Sequence, residues 1–144
     1  IKEANTLEYL EFLRKTDPRL YSAEVRESRS PAVDADLLDF YLESRSSFVA
    51  EVDGQVVGFV FSQTIEFMHG ERRMMWIEYI GVQTEYRRQG IGYSLLSKVE
   101  EYAKQHSIQR VESTINPDNE ASIRLHEKAG FKVKDWKRAI CNDK

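Results

Sequence analysis

Apolar residues in this chain follow one period near its start, another in its middle and a mixture beyond. In "NTLEYLEFLRK" (Asn5–Lys15), Leu7, Leu10 and Phe12 or Leu13 recur at helical spacing behind a cap at Asn5 or Thr6. "DPRLYSAEVRESRSPAV" is broken by Pro18 and Pro31 and reads as irregular, with at most a short helix. Asp34 is placed to cap a helix through Ser44, with Leu37, Leu38, Tyr41 and Leu42 on its apolar face. The pattern then turns to strand. "SSFVAEVDGQVVGFVFSQTIEF" holds two β-rich runs joined by Asp53-Gly54, a tight-hairpin signal, and "RRMMWIEYIGV" (Arg72–Val82) follows a further turn at His69-Gly70. These strands are apolar at both parities, so the spacing predicts an antiparallel meander covered on both faces.

From Ile91 the elements alternate. Ile91–His106 carries Ile91, Leu95, Val99, Tyr102 and Ala103 on one helical face. "RVESTI" (Arg110–Ile115) reads as a strand, Asn119–Lys128 as a helix closed by Gly130, and "FKVKDWKRAI" as a final strand. The order α-β-β-β-α-β-α-β predicts one α/β domain over residues 1–144, with a mixed, partly antiparallel sheet.

Composition narrows the classes. A chain of 144 residues, 41% hydrophobic and 31% charged, is the size and make-up of one ordinary globular domain. A net charge of −3 argues against a nucleic-acid binder, and no apolar run approaches the roughly 18 residues of a membrane span. The single Cys141 has no internal disulfide partner, and no cysteine–histidine spacing suggests a metal. A reducing, cytoplasmic setting is the expectation. The chain begins at Ile1, not methionine, so a removed leader or tag stays open.

The chemistry concentrates in "YRRQGIGYSLL" (Tyr86–Leu96), where two arginines and two glycines open a helix directly after a strand and the loop Gln83–Gln89. The first amides of a helix lack intrahelical partners, and its dipole favours negative charge there. Gly90 and Gly92 let an anion reach that backbone, so the pattern predicts a phosphate cradle. No Gly-Lys-Ser/Thr follows, as a Walker loop needs, and the third glycine of a dinucleotide fingerprint is missing. An isolated Gly-x-Gly is more often a plain turn. Here the strand before, the helix after and the arginine pair shift the balance.

"YIGVQTEYRRQGIGYSLLSKVEEYAKQ" resembles motif A of the GNAT superfamily, the N-acetyltransferases that use acetyl-CoA, and "NPDNEASIRLHEKAGFK" resembles its motif B. Both stand in the family's order and spacing, over roughly Ile77 to Val133. The resemblance implies the GNAT fold, a mixed, mostly antiparallel sheet flanked by helices, with acetyl-CoA as cosubstrate, an amine as acceptor and no metal. It implies that backbone amides from Arg88 to Tyr93, including Gln89, Gly90, Ile91 and Gly92, hold the CoA pyrophosphate, with charge added by Arg87 or Arg88. In that family the preceding strand splays from its neighbour at a bulge and the pantetheine arm pairs with it. Ile80, Gly81 and Val82 are therefore the expected cofactor contacts, one N–H polarising the thioester carbonyl. Asn119 is expected to reach the cofactor, to cap its helix, or both.

Acetyl transfer needs a free amine, and amines with pKa values of about 8 to 10 are mostly protonated at neutral pH, so a base helps. Glu78, alone among apolar neighbours in "MWIEYIGV", is the candidate, and burial is expected to tune it. The competing role is an ion pair with Arg72, Arg73 or a lysine. His126 stands where many members of the family carry a tyrosine that serves as general acid near the CoA sulfur. A histidine there either donates a proton or only lines the channel. Tyr93 and Tyr79 are nearby alternatives. Met74, Met75 and Trp76 read as core or cleft wall, His69 as a turn residue, His106 as a helix-end cation, and Lys98, Glu100, Glu101 and Lys104 as a solvated helix face.

The expected activity is acetyl transfer to a primary amine by direct attack in a ternary complex. Two other classes stay open, a CoA-binding sensor without turnover and a structural domain with an empty loop. No motif specifies the acceptor or the oligomeric state, and a homodimer is open. Many relatives carry another strand after this point, so the C-terminus is expected to be short, truncated or completed by a partner.

Overall fold

The computed structural model describes residues 1–3, 45–66 and 73–141. The helices expected over Asn5–Lys15 and from Asp34 to Ser44, and the turn at His69-Gly70, lie outside the described residues. Within them, five strands form one sheet in the order β1-β2-β3-β4-β5. These are β1 (Lys2–Glu3), β2 (Phe48–Val52), β3 (Gln55–Glu66), β4 (Arg73–Val82) and β5 (Arg110–Ser113). The first three pairings are antiparallel and β4–β5 is parallel. Helix α1 (Ile91–Gln105) makes the crossover between β4 and β5, and α2 (Glu120–Lys128) follows β5.

The expected hairpin forms at Asp53-Gly54. Both residues have positive φ, +51° and +77°, the torsions of a turn whose twist matches its flanking strands. Six consecutive β3 residues, Val57–Ser62, are buried, so the strand is covered on both faces as its composition predicts. On one face α1 lays Leu95, Leu96, Val99 and Ala103 over Phe48, Val57, Val60, Met75 and Ile77. Gly58 permits this approach, because a Cβ there would stand 3.0 Å from Ile91 Cγ2. Inside β3, Ser62 is satisfied by Ser46 and Ser47: both hydroxyls donate to its carbonyl, at 3.1 and 3.2 Å, and Ser47 Oγ accepts its N–H at 3.1 Å.

Helix α2 begins and ends as its sequence predicts. Asn119 Oδ1 accepts the Ser122 N–H at 3.1 Å. At the other end Gly130, φ +91°, donates to Glu127 O at 3.0 Å while Phe131 N donates to His126 O at 2.9 Å. That pair of bonds is a Schellman cap. The strand expected over Phe131–Ile140 does not form: the stretch has no regular structure. Strand-forming side chains become a strand only against a ladder partner, and no described strand pairs with this stretch. Trp136 is 80% exposed there.

Candidate functional site

The site begins with two irregularities at one point of β4. The β3–β4 register runs Gly58↔Val82, Phe59↔Gly81, Val60↔Ile80, Phe61↔Tyr79 and then Ser62↔Ile77. Glu78 therefore has no residue opposite it. It is the extra residue of a β-bulge, which bends the strand and re-aims its side chains. On the other edge, β5 pairs only with Met74–Ile77. The two strands part where the bulge sits.

Beyond Ile77 that edge of β4 has no strand beside it among the described residues. Gln83 N donates to Val57 O at 2.8 Å. By ladder alternation Gly81 and Tyr79 also turn their main-chain groups toward β3, whereas Ile80 and Val82 turn theirs to the open edge. Such an edge offers spaced N–H and C=O groups to an extended polar chain. The Val82 carbonyl accepts from Arg87 Nε at 3.0 Å, so one arginine of the loop is tied to the end of this edge.

The edge leads into the glycine loop. A 3₁₀ turn, Thr84–Tyr86, is closed by Tyr86 N to Gln83 O at 2.9 Å and Arg87 N to Thr84 O at 3.3 Å. Arg88 (φ +63°) and Gly90 (φ +81°) then take left-handed torsions. Gly90 is the N-cap of α1 and supplies no side-chain cap, and no acidic residue lies in the first turn. The Ile91, Gly92 and Tyr93 amides therefore begin a helix without a carboxylate competing for them, an electropositive mouth. Among the described residues a Cβ on Gly90 would meet nothing within 4 Å, so they leave the space over this corner open. Arg88, Gln89 and Gly90 are exposed, and Tyr93 has Lys128 Nζ 5.8 Å from its ring centroid.

Two other glycines serve packing. A Cβ on Gly92 would lie 2.9 Å from Leu125 Cδ2, so this glycine brings α1 against α2. A Cβ on Gly81 would lie 3.0 Å from Tyr79 Cε1 and 3.4 Å from Phe59 Cε1. Its missing side chain makes room for the Phe59–Tyr79 stack, whose rings are 5.1 Å apart. Gly81 thus lies against aromatic rings of the chain itself.

Glu78 is exposed, not buried as expected, and its Oε1 accepts from Gln63 Nε2 at 2.9 Å. The alternative partner Arg73 instead donates to His106 O at 2.5 Å. His126 is 1% exposed. Its Nδ1 lies 2.7 Å from Ser122 O, and a carbonyl can only accept, so Nδ1 carries the proton of that bond. Nε2 is buried with no partner among the described residues, and Phe131 packs edge-on against the ring at 5.2 Å. Asn119 takes the capping role. Met74 and Met75 are buried in the core as expected, and His106 stacks on Tyr102 at 3.9 Å near the end of α1. Among the described residues, no group of three or more His, Cys, Asp or Glu could hold a metal ion.

Sequence reasoning missed Gln63 and Gly58. Gln63 was visible as a polar residue late in an apolar run, but its meeting with Glu78 depends on the β3–β4 register, which sets Gln63 opposite Trp76 and so diagonal to Glu78.

Comparison with known proteins bears on the family and the fold. An uncharacterized N-acetyltransferase of Methanocaldococcus jannaschii is 35% identical over 98 residues, covering 65% of this chain and 43% of its own. An L-2,4-diaminobutyric acid acetyltransferase of Nocardia farcinica is 35% identical over 81 residues, 56% of this chain and 40% of its own. The chain thus spans about half the length of the curated relatives it matches, or somewhat less. Among solved structures, an aminoglycoside acetyltransferase from an uncultured soil metagenomic sample, in complex with sisomicin, superposes with a TM-score of 0.74. Its identity is 17%, over 99% of this chain and 92% of its own. The aminoglycoside N-acetyltransferase AAC(6')-Iy in complex with CoA gives 0.66 at 21% identity, over 99% and 97%. These likenesses share the fold. A sequence model of the Acetyltransferase (GNAT) family matches residues 8–131. The chain belongs to the GNAT acetyltransferase family.

Proposed function

We propose that this domain transfers the acetyl group of acetyl-CoA to a primary amine. The observation that carries the reading is the continuity of the open β4 edge with the glycine corner. Ile80 and Val82 present main-chain groups along the splayed edge, and the strand ends at a helix mouth uncapped by any side chain, over open space at Gly90. An extended polar arm ending in a pyrophosphate matches both halves. The solved relative named for its complex with CoA, and others named as amine acetyltransferases, support the same reading. The bare, buried Nε2 of His126 fits a site that a further polar group completes.

Acetyl-CoA supplies an activated acyl group: a bond forms from the amine nitrogen to its carbonyl carbon, the carbon–sulfur bond breaks, and the sulfur takes up a proton. The chain supplies four things. Ile80 N–H, facing the open edge, donates to developing oxygen charge, and a fixed donor there is worth far more than water. Glu78, on the bulge where the edge opens, takes the proton of the attacking amine as general base. His126 has Nδ1 committed to Ser122, so only Nε2 can exchange a proton with the leaving side, and it donates only as the imidazolium. Arg87, Arg88 and the α1 mouth hold the diphosphate.

The test is release of free CoA from acetyl-CoA with a panel of amines: L-2,4-diaminobutyrate, sisomicin and a peptide with a free N-terminus. Amine-dependent release supports transfer. Tight CoA binding with no release for any amine turns the reading to a sensor.

A further inference from the structure

We infer that Gln63 is a positioning residue for the base, holding the Glu78 carboxylate toward the acceptor; this rests on the acetyltransferase reading and deepens it.

Glu78 occupies an exposed bulge position, without a cross-strand neighbour of its own. An exposed glutamate samples several rotamers, and ordering one costs side-chain entropy. A base that must meet an amine within hydrogen-bond reach cannot work well from such a spread. Among the described residues the structure offers one restraint. Gln63 Nε2 donates to Glu78 Oε1 at 2.9 Å across the β3–β4 pair.

The sheet explains why Gln63 can do this. Its own register partner is Trp76, two residues before Glu78 on β4. In a regular ladder a residue two positions along would lie diagonally away, at about 7–8 Å between Cα atoms. Long side chains still span that diagonal, and the bulge leaves Glu78, between Ile77 and Tyr79, with no residue of its own opposite it. Gln63 is half-buried, whereas Glu78 is exposed, so the anchored partner is the glutamine and the steered one the glutamate.

The polarity of the bond also suits a base. An ionised carboxylate only accepts, so the amide must present its NH2. One carboxylate oxygen is engaged, and the other stays available to take a proton. A lysine or arginine at position 63 would also hold the carboxylate, but it would add a positive charge beside an acceptor that arrives largely as a cation. A neutral donor avoids that repulsion.

The experiment is a double-variant cycle on the full chain, with acetyl-CoA and the panel amine that turns over fastest. Gln63→Met keeps length and volume and removes the donor. It is expected to lower kcat about tenfold, with the KM for acetyl-CoA unchanged. In the Glu78→Gln background the same substitution is expected to change kcat less than twofold, because the group it positions no longer acts as a base. A wild-type kcat in Gln63→Met overturns the proposal, as does an equal tenfold loss in both backgrounds. Full activity of Glu78→Gln alone refutes Glu78 as base, a different failure from that of Gln63. If no panel amine turns over, the acetyltransferase reading itself falls, and this role with it.

Discussion

A Cβ on Gly92 would stand 2.9 Å from Cδ2 of Leu125, whereas one on Gly90, two residues earlier, would touch nothing within 4 Å. The two glycines of one motif therefore do different work. Gly92 lets α1 and α2 close on each other, and Gly90 shapes the corner where the helix opens.

Their substitutions should separate accordingly. Gly92→Val overpacks the α1–α2 contact at a cost of about 1–3 kcal/mol, so its melting temperature should fall by several degrees. Truncating the opposed side chain, Leu125→Ala, should recover part of that loss, a coupling that calorimetry of the double variant reads directly. Gly90→Asn tests the cradle. Asparagine tolerates the left-handed torsion of Gly90 better than other side chains, so the fold should survive while the side chain intrudes on the space over the corner. CoA affinity measured by titration calorimetry should drop at least tenfold. Unchanged affinity in a folded Gly90→Asn variant would put the phosphate site elsewhere.

Cofactor selectivity follows from the same corner. CoA and acetyl-CoA should raise the melting temperature, since a ligand at 100 times its dissociation constant adds about 2.7 kcal/mol. NAD and ATP at equal concentration should not, because neither carries an amide-bearing arm to pair with Ile80 and Val82 beyond the diphosphate. A shift with ATP as large as with CoA would mean that the open β4 edge contributes nothing.

The two arginines should differ in kind. Arg87 spends its Nε on the Val82 carbonyl at 3.0 Å, so it holds the loop to the end of the strand. Arg88 is exposed, with φ +63°. Arg88→Gln should weaken CoA binding mainly at low salt, because a solvent-exposed charge is screened within about 8–10 Å at physiological ionic strength. Arg87→Lys keeps the charge but not the Nε geometry, and should weaken binding at every salt concentration. Titrations at 20 and 500 mM NaCl distinguish the two, and parallel behaviour would refute the division.

Much of this was legible in the sequence, for local reasons. The Asp53-Gly54 hairpin, the face of α1, the Asn119 cap and the Gly130 stop are each set by a few adjacent residues, and each formed as its residues predict. What could not be read was pairwise. Gly81 and Gly92 read in the sequence as cofactor contacts, and the folded chain also packs them against Tyr79 and Leu125, contacts that exist only after folding. Phe131–Ile140 has strand composition without a partner strand. Glu78 lies between apolar neighbours in sequence, from which burial was inferred, yet it is exposed at the bulge, where no residue stands opposite it.

The base and the leaving-group partner should separate by pH. Glu78→Gln keeps size and hydrogen bonding but cannot take the amine's proton, so kcat at neutral pH should fall by about 10²-fold or more, the usual worth of general-base help. The loss should shrink as pH rises, because an amine with a pKa of about 8 to 10 then arrives already free. CoA affinity should hold, since the Glu78 side chain lies off the main-chain edge. His126→Phe removes the bond from Nδ1 to Ser122 O but fills the buried space beside Phe131 with another aromatic ring. Its effect on kcat should be about tenfold or less, because a thiolate with a pKa near that of cysteine, about 8.5, leaves without much assistance. That effect should stay constant up to high pH if His126 merely lines the site. If it is the acid, the variant and the wild type should converge there. Paired pH–rate profiles from pH 6 to 10 decide the matter, and a His126→Phe enzyme dead at pH 7 beside a fully active Glu78→Gln would reverse the two roles.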